Sequence, residues 1–171
     1  MKPDSHGLTA LPFFSGERST GWADNARAVI AGVTLRTEPI DILRALLESV
    51  GYRFAAIYQR LRQEIPASNR IIASGGGLLN SPTWTQFMAD VIGAPVAASA
   101  IDEASSRGAA LLVLQALGHV GNLDTLPAPV NEIYEPIPEH QARYQIAFER
   151  HQQFYEQASG TLWNEEPVNP C

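Results

Sequence analysis

Three consecutive glycines, Gly75, Gly76 and Gly77, follow the apolar run "RIIAS" at residues 70–74 and lead to Ser81 and Pro82, which open a helical pattern. A backbone without Cβ atoms lets phosphate oxygens or a ribose come within hydrogen-bonding distance. A capped helix start just beyond adds unpaired N–H groups and about half a positive charge. This order suits a nucleotide, although three glycines between a strand and a helix are more often only a permissive turn. The chain has no Walker-type phosphate loop, and the glycine run has no lysine to reach a terminal phosphate. His6, His119, His140 and His151 are scattered through loop and helix surface without metal-ligand spacing, so no metal site is assigned. The one cysteine, Cys171, is the last residue, which excludes an internal disulfide and a thiolate zinc site. Trp84 and the aromatic stripe at residues 144–155 fit packing faces, Asp90 and Glu103 fit solvated or capping carboxylates, and no catalytic residue is assigned.

The elements that must position the glycine run follow from periodicity. Leu43, Leu46, Leu47, Val50, Phe54, Ile57, Leu61 and Ile65 recur at three and four positions, which predicts a helix over 40–65 packed through that stripe. Thr37 is its expected cap, Pro39 suits its first turn, and Asp41 complements its positive end. Residues 70–74 predict a buried strand, and 82–92 a helix running from the Ser81 cap to a stop at Gly93. Residues 96–100 predict a second strand, and 103–117 a helix capped by Asp102 and stopped by Gly118. Small residues fill the first half of that helix, open to a close backbone or ligand, while Leu111, Leu112 and Leu114 are expected to pack. Prolines at 127, 129, 136 and 138 predict an extended connector, and residues 144–155 a final helix ended by Gly160.

Helix, strand, helix, strand, helix is an α/β order, with a small, mostly parallel sheet and about four helices. Two strands are few for four helices, so strands of the same sheet are expected outside this chain. Four parts follow: a loop region over 1–37, a core over 38–118, a connector with the C-terminal helix over 119–160, and a frayed tail over 161–171. With 45% hydrophobic and 18% charged residues among 171, the chain can fill a core, which excludes wholesale disorder. A net charge of −6 without a basic cluster argues against a nucleic-acid partner. No apolar run suits a membrane span, and Met1 to Ala10 lacks the charged and apolar regions of a signal peptide, so a cytoplasmic protein without a membrane partner is expected.

The string "SGGGLLNSPTWTQFMADVIGAPV" at 74–96 resembles the adenosine-binding segment of the FGGY family of carbohydrate kinases. Upstream, "LPFFSGERSTGWADNARAVIAGVT" at 11–34 is similar to the family's Pro, GER, Asp, Arg and Gly-Leu-Thr pattern. Thr20, Ala28 and Val33 depart from the common family residues. Downstream, "EASSRGAALLVLQALG" at 103–118 resembles the family's small-residue helix. The resemblance implies a partial ribonuclease H-like domain of the actin, hexokinase and sugar kinase superfamily, the second domain of a two-domain kinase. It places ATP as cofactor, with Gly75, Gly76 and Gly77 along its phosphates and ribose and Ser81 beside its adenine. The helix beginning near Ser105 would border the domain interface, and Glu17 and Arg18 would order their own loop.

No Asp-x-Gly occurs in the sequence. The family's catalytic base and the carboxylates that help hold magnesium are therefore expected on a missing N-terminal kinase domain, which becomes the implied partner. The substrate implied is a sugar or sugar acid such as gluconate or xylulose, and the chain alone is expected to be inactive. The alternative is a non-catalytic nucleotide-binding or interaction module acting with a partner chain. A homo-oligomer stays open.

Overall fold

The computed structural model describes residues 2–65 and 70–163; of the frayed tail expected over 161–171, residues 164–171 lie outside them, whereas Thr161 is helical and Trp163 is buried against Phe13 and Tyr155 instead of frayed. The chain divides into two compact units. The first draws on residues 1–68, 90–92 and 137–171, and the second on 69–89 and 93–136.

In the first unit, β1 (Thr9–Leu11) pairs antiparallel with β2 (Val29–Ala31), Thr9 lying opposite Ala31. The two long helices, α1 (Pro39–Glu64) and α5 (Pro138–Thr161), both pack against β1. Leu8, Ala10 and Ala45 form one apolar cluster, and Leu11, Phe13, Ala26, Ala158 and Trp163 another. Three-residue strands are too short to show alternation, so β1 lay hidden in what reads as loop. The α1 cap is Glu38 instead of Thr37. The Glu38 N–H donates to the Asp41 carboxylate at 3.1 Å, while the Thr37 hydroxyl accepts from the Thr34 N–H at 2.9 Å and closes the preceding turn. Helix α5 continues through Gly160 to Thr161.

The face that α1 buries is also not the apolar stripe. Its buried residues are Ala45, Glu48, Ser49, Gly51, Tyr52, Arg53, Ala55 and Ala56. Ile40, Leu43, Leu47, Phe54, Leu61 and Ile65 are exposed. Periodicity identifies an apolar face but not which elements are present to cover it. Small residues let neighbouring elements approach α1, and Glu48, Ser49, Tyr52 and Arg53 each make a side-chain hydrogen bond there, although Nε and Nη1 of Arg53 have no partner among the described residues.

The strongest pairing is Glu17, 2% exposed, with Arg53. One Glu17 oxygen accepts from the N–H groups of Thr20 (2.9 Å) and Gly21 (3.1 Å), the other from the Tyr155 hydroxyl (2.7 Å). Arg53 also donates to the Ser19 carbonyl and the Thr20 hydroxyl, and its guanidinium lies 4.4 Å from the Tyr155 ring centroid and 5.2 Å from that of Phe13. Burial first, then the bond to Glu17, raises the Tyr155 pKa. Glu17 thus orders its loop, as its place in the GER motif suggests, while Arg18 is exposed.

A second buried carboxylate, Glu48, accepts from the Tyr52 hydroxyl at 3.0 Å and pairs with His6 at 3.2 Å. His151, against the Tyr52 ring, is buried although it reads as a surface histidine; neither ring nitrogen makes a hydrogen bond of ordinary geometry among the described residues. Burial, reinforced by the Arg53 charge, lowers its pKa from 6.5 to about 4.

In the second unit, β3 (Ile71–Ala73) runs parallel to β4 (Val96–Ser99), and β4 pairs antiparallel with β5 (Val130–Tyr134). The sheet is therefore mixed, because β5 forms inside the proline-rich stretch that reads as a connector. The order β3-β4-β5 leaves β3 at an edge. Between the strands lie α2 (Gly76–Leu79), α3 (Pro82–Ile92) and α4 (Ala104–Ala116). The fifth helix beyond the four expected is the single turn α2. Ser81 caps α3, and Gly93 ends it in the left-handed region at φ 71°. Helix α4 starts from Glu103 instead of Asp102 and buries no residue; Leu112 and Leu114, expected to pack, are exposed.

Two stability measurements follow. Arg53→Met leaves the Glu17 carboxylate buried without its cation and should cost about 3–5 kcal/mol in urea unfolding; a loss under about 1 kcal/mol would contradict the pairing. His151 takes up a proton near pH 6.5 when unfolded but only near pH 4 when folded. Its contribution is therefore complete above pH 6.5 and lost as pH falls toward 4, by roughly 3 kcal/mol. Unfolding of His151→Leu should show a correspondingly shallower decline over that range, and an identical decline would refute the assignment.

Candidate functional site

Strand β3 ends at Ala73, and after Ser74 the backbone turns at Gly75, whose φ of 88° is a conformation that L side chains rarely adopt. One helical turn follows. The Leu78 and Leu79 N–H groups donate to the Gly75 carbonyl at 3.2 and 3.1 Å, and the Asn80 N–H to the Gly76 carbonyl at 3.0 Å. The N–H groups of Gly76 and Gly77 precede these bonds and have no partner among the described residues. A Cβ at Gly75 or Gly77 would meet nothing within 4 Å, and one at Gly76 would meet only the Asn80 amide at 3.2 Å. The upper side of the turn is open.

Its underside is fixed. Leu78 packs on the cluster of Ala73, Ala89 and Val96. The Thr85 hydroxyl, in a residue 1% exposed, donates to the Leu78 carbonyl at 2.9 Å. The Ser81 hydroxyl accepts from the Trp84 N–H at 3.3 Å, which leaves its own proton free to donate. Trp84 stacks on Phe87, with ring centroids 4.9 Å apart, as a packing residue should. The structure thus brings Gly75, Gly76, Gly77 and Ser81 into one short bend with two outward backbone donors.

Beside Ser74, a crevice of about 220 Å³ opens at the carboxyl ends of the parallel pair β3 and β4, lined by Ser74, Ser99, Ile101, Ala104 and Arg107 among others. Such ends are where open α/β sheets receive ligands. Sequence reasoning missed Thr85 and Arg107. The spacing of Thr85, four residues after the Ser81 cap, was a usable signal; Arg107 reads as an ordinary helical cation. Glu103 is exposed at the start of α4. Asp90 is buried and accepts from the Ile137 N–H at 2.8 Å and bonds His140 at 2.9 Å, which ties down the start of α5.

One grouping has metal-ligand composition. Single ligand atoms of Asp4, His6 and Glu48 lie within 4.8 Å of one another. Their bonding serves structure instead. His6 Nδ1 accepts from the Leu8 N–H at 3.0 Å, which places the ring proton on Nε2, facing Glu48, and removes the lone pair a cation would need. Asp4 is held by Arg150 at 2.5 and 3.1 Å.

Residues 1–117 match the family described as "FGGY family of carbohydrate kinases, C-terminal domain". The chain is 31% identical over 135 residues to a glycerol kinase of Acidiphilium cryptum, covering 78% of this chain and 27% of that protein. Its fold superposes on the xylulose kinase of Lactobacillus acidophilus with a TM-score of 0.83 at 26% identity. It superposes on the gluconate kinase of the same organism with a TM-score of 0.82, also at 26% identity. Both structural matches cover 92% of this chain and 32% of the other. The chain thus spans between a quarter and a third of the length of these relatives.

Backbone geometry separates the glycines in their effect on folding. Gly75→Ala should lower stability by about 1–2 kcal/mol because its φ is positive. Gly77→Ala, helical and with open space at its Cβ, should be neutral or gain up to about 1 kcal/mol. Equal losses in thermal unfolding would show that the turn is not built this way.

Proposed function

Because this chain belongs to the FGGY family of carbohydrate kinases, we propose that it is the ATP-holding part of an enzyme that phosphorylates a sugar or sugar acid such as gluconate or xylulose. The observation that carries this is the bend at residues 75–77, bare on its upper side, anchored from below by Leu78 and Thr85, and presenting the free N–H groups of Gly76 and Gly77. These two donors would hold phosphate oxygens, and the Ser81 hydroxyl would donate to the adenine edge. ATP supplies the phosphoryl group. Magnesium and the base that deprotonates the sugar hydroxyl belong, in this proposal, to the remaining polypeptide. The edge of β3, unpaired among the described residues, supports the need for that polypeptide, since an apolar edge strand without charge or proline normally has a neighbour. Among the described residues no helix is long and apolar enough to cross a membrane, and we place the enzyme in the cytoplasm.

Isothermal titration tests the nucleotide. Gly77→Val should keep the fold yet weaken ADP binding by roughly tenfold or more, because the branched side chain occupies the phosphate path; an unchanged affinity would remove the bend from the site. Kinase assays of the chain by itself with gluconate or xylulose should show no turnover, and clear activity would overturn the division of labour.

A further inference from the structure

We propose that the crevice at the carboxyl ends of β3 and β4 is a second ligand site, separate from the nucleotide bend, that takes the oxyanion of a compact carboxylate or phosphate monoester. Its volume is about 220 Å³, and Arg107 is the charged residue in its lining. Arg53 and Arg150 are each paired with a carboxylate, whereas Arg107 makes no ion pair among the described residues. A single bond from its Nη2 to the Pro127 carbonyl, at 3.3 Å, tethers it. Most donors of its planar fork are therefore left for a ligand. The nearest carboxylates in sequence, Asp102 and Glu103, are exposed, and neither lines the crevice. A half-buried guanidinium without a carboxylate, in a chain of net charge −6, offers bidentate bonds to carboxylate or phosphate oxygens. The Ser74 hydroxyl, without a partner among the described residues, adds a donor to the lining.

The walls are preformed. The buried Ser99 hydroxyl accepts from the Ile101 N–H at 3.0 Å and donates to the Ile101 carbonyl at 3.1 Å, which closes the turn after β4. The Ala100 N–H donates to the Pro129 carbonyl at 3.0 Å and ties the proline rim to that turn. Ile72, Ile101, Ala104, Ala128 and Pro129 make the remaining surface apolar. Carbon thus bounds the body of the ligand, and Arg107 meets its charge. Size sets the class. An apolar cavity of about 150 Å³ admits benzene, so this one holds roughly nine non-hydrogen atoms, an acid or phosphate ester of about three to five carbons. A whole nucleoside diphosphate does not fit.

Amide-resolved NMR of the 171-residue chain tests the site with erythronate, glycerol 3-phosphate and the uncharged erythritol. The expected result is saturable shifts at Ile101, Ala104 and Arg107 with at least one anion, roughly tenfold or more tighter than with erythritol, while Gly76 and Gly77 stay unmoved. The tighter anion identifies carboxylate or phosphate as the head group. Arg107→Gln should weaken that binding by roughly tenfold or more, and Arg107→Lys should restore part of it. Saturation by neither anion overturns the site, as does an affinity that erythritol equals or that Arg107→Gln leaves unchanged. Displacement of the anion by saturating ADP makes the crevice part of the nucleotide's own seat and also overturns it. None of these outcomes removes the nucleotide proposal, which ADP shifts at Gly76 and Gly77 test separately in the same sample.

Discussion

A buried carboxylate cannot stay charged without compensation, and the first unit is organised around meeting that condition at Glu17. Its two oxygens receive the Thr20 and Gly21 N–H groups, the Tyr155 hydroxyl and the Arg53 guanidinium. Those partners come from the GER loop, α1 and α5, so one side chain fixes three segments distant in sequence. Gly21 is part of the same constraint: a Cβ there would collide with the Tyr155 hydroxyl and the Glu17 carboxylate. Glu48, Ser49 and Asp90 are also buried in the same unit and hydrogen-bonded. Such a core derives geometric definition from pairing more than from apolar bulk.

The second unit solves a different problem, which is to leave backbone donors exposed without letting the turn collapse. Leu78 and Thr85 hold the bend from beneath, and the left-handed Gly75 redirects the chain so that Gly76 and Gly77 face outward. Anchoring by an apolar side chain and a hydroxyl, with no cation, leaves charge neutralisation of a bound phosphate to backbone dipoles and to groups outside the bend. That matches an acidic chain without a Walker lysine.

Much of this was legible in the residues. Ser81, Pro82 and Gly93 mark α3 because capping and left-handed termination are local chemistry, and the strands at 71–73 and 96–99 follow from short apolar runs beside glycine and proline. Strands β1 and β5 were not legible: three residues are too few for a period, and prolines at 127 and 129 masked a strand beginning at 130. The α1 stripe shows a different limit. Its helix was readable, but the covering of its apolar face depends on which other elements are present, which no local pattern encodes. His151 escaped for a related reason, since a histidine at helical spacing looks the same whether its face meets solvent or Tyr52.

If the outward N–H groups of Gly76 and Gly77 receive a nucleotide's phosphates, amide-resolved NMR of the 171-residue chain during an ADP titration should show saturable shifts of those two resonances, with Thr20 and Gly21 in the Glu17 loop unmoved. Saturable ADP binding that leaves both glycine amides in place would contradict it.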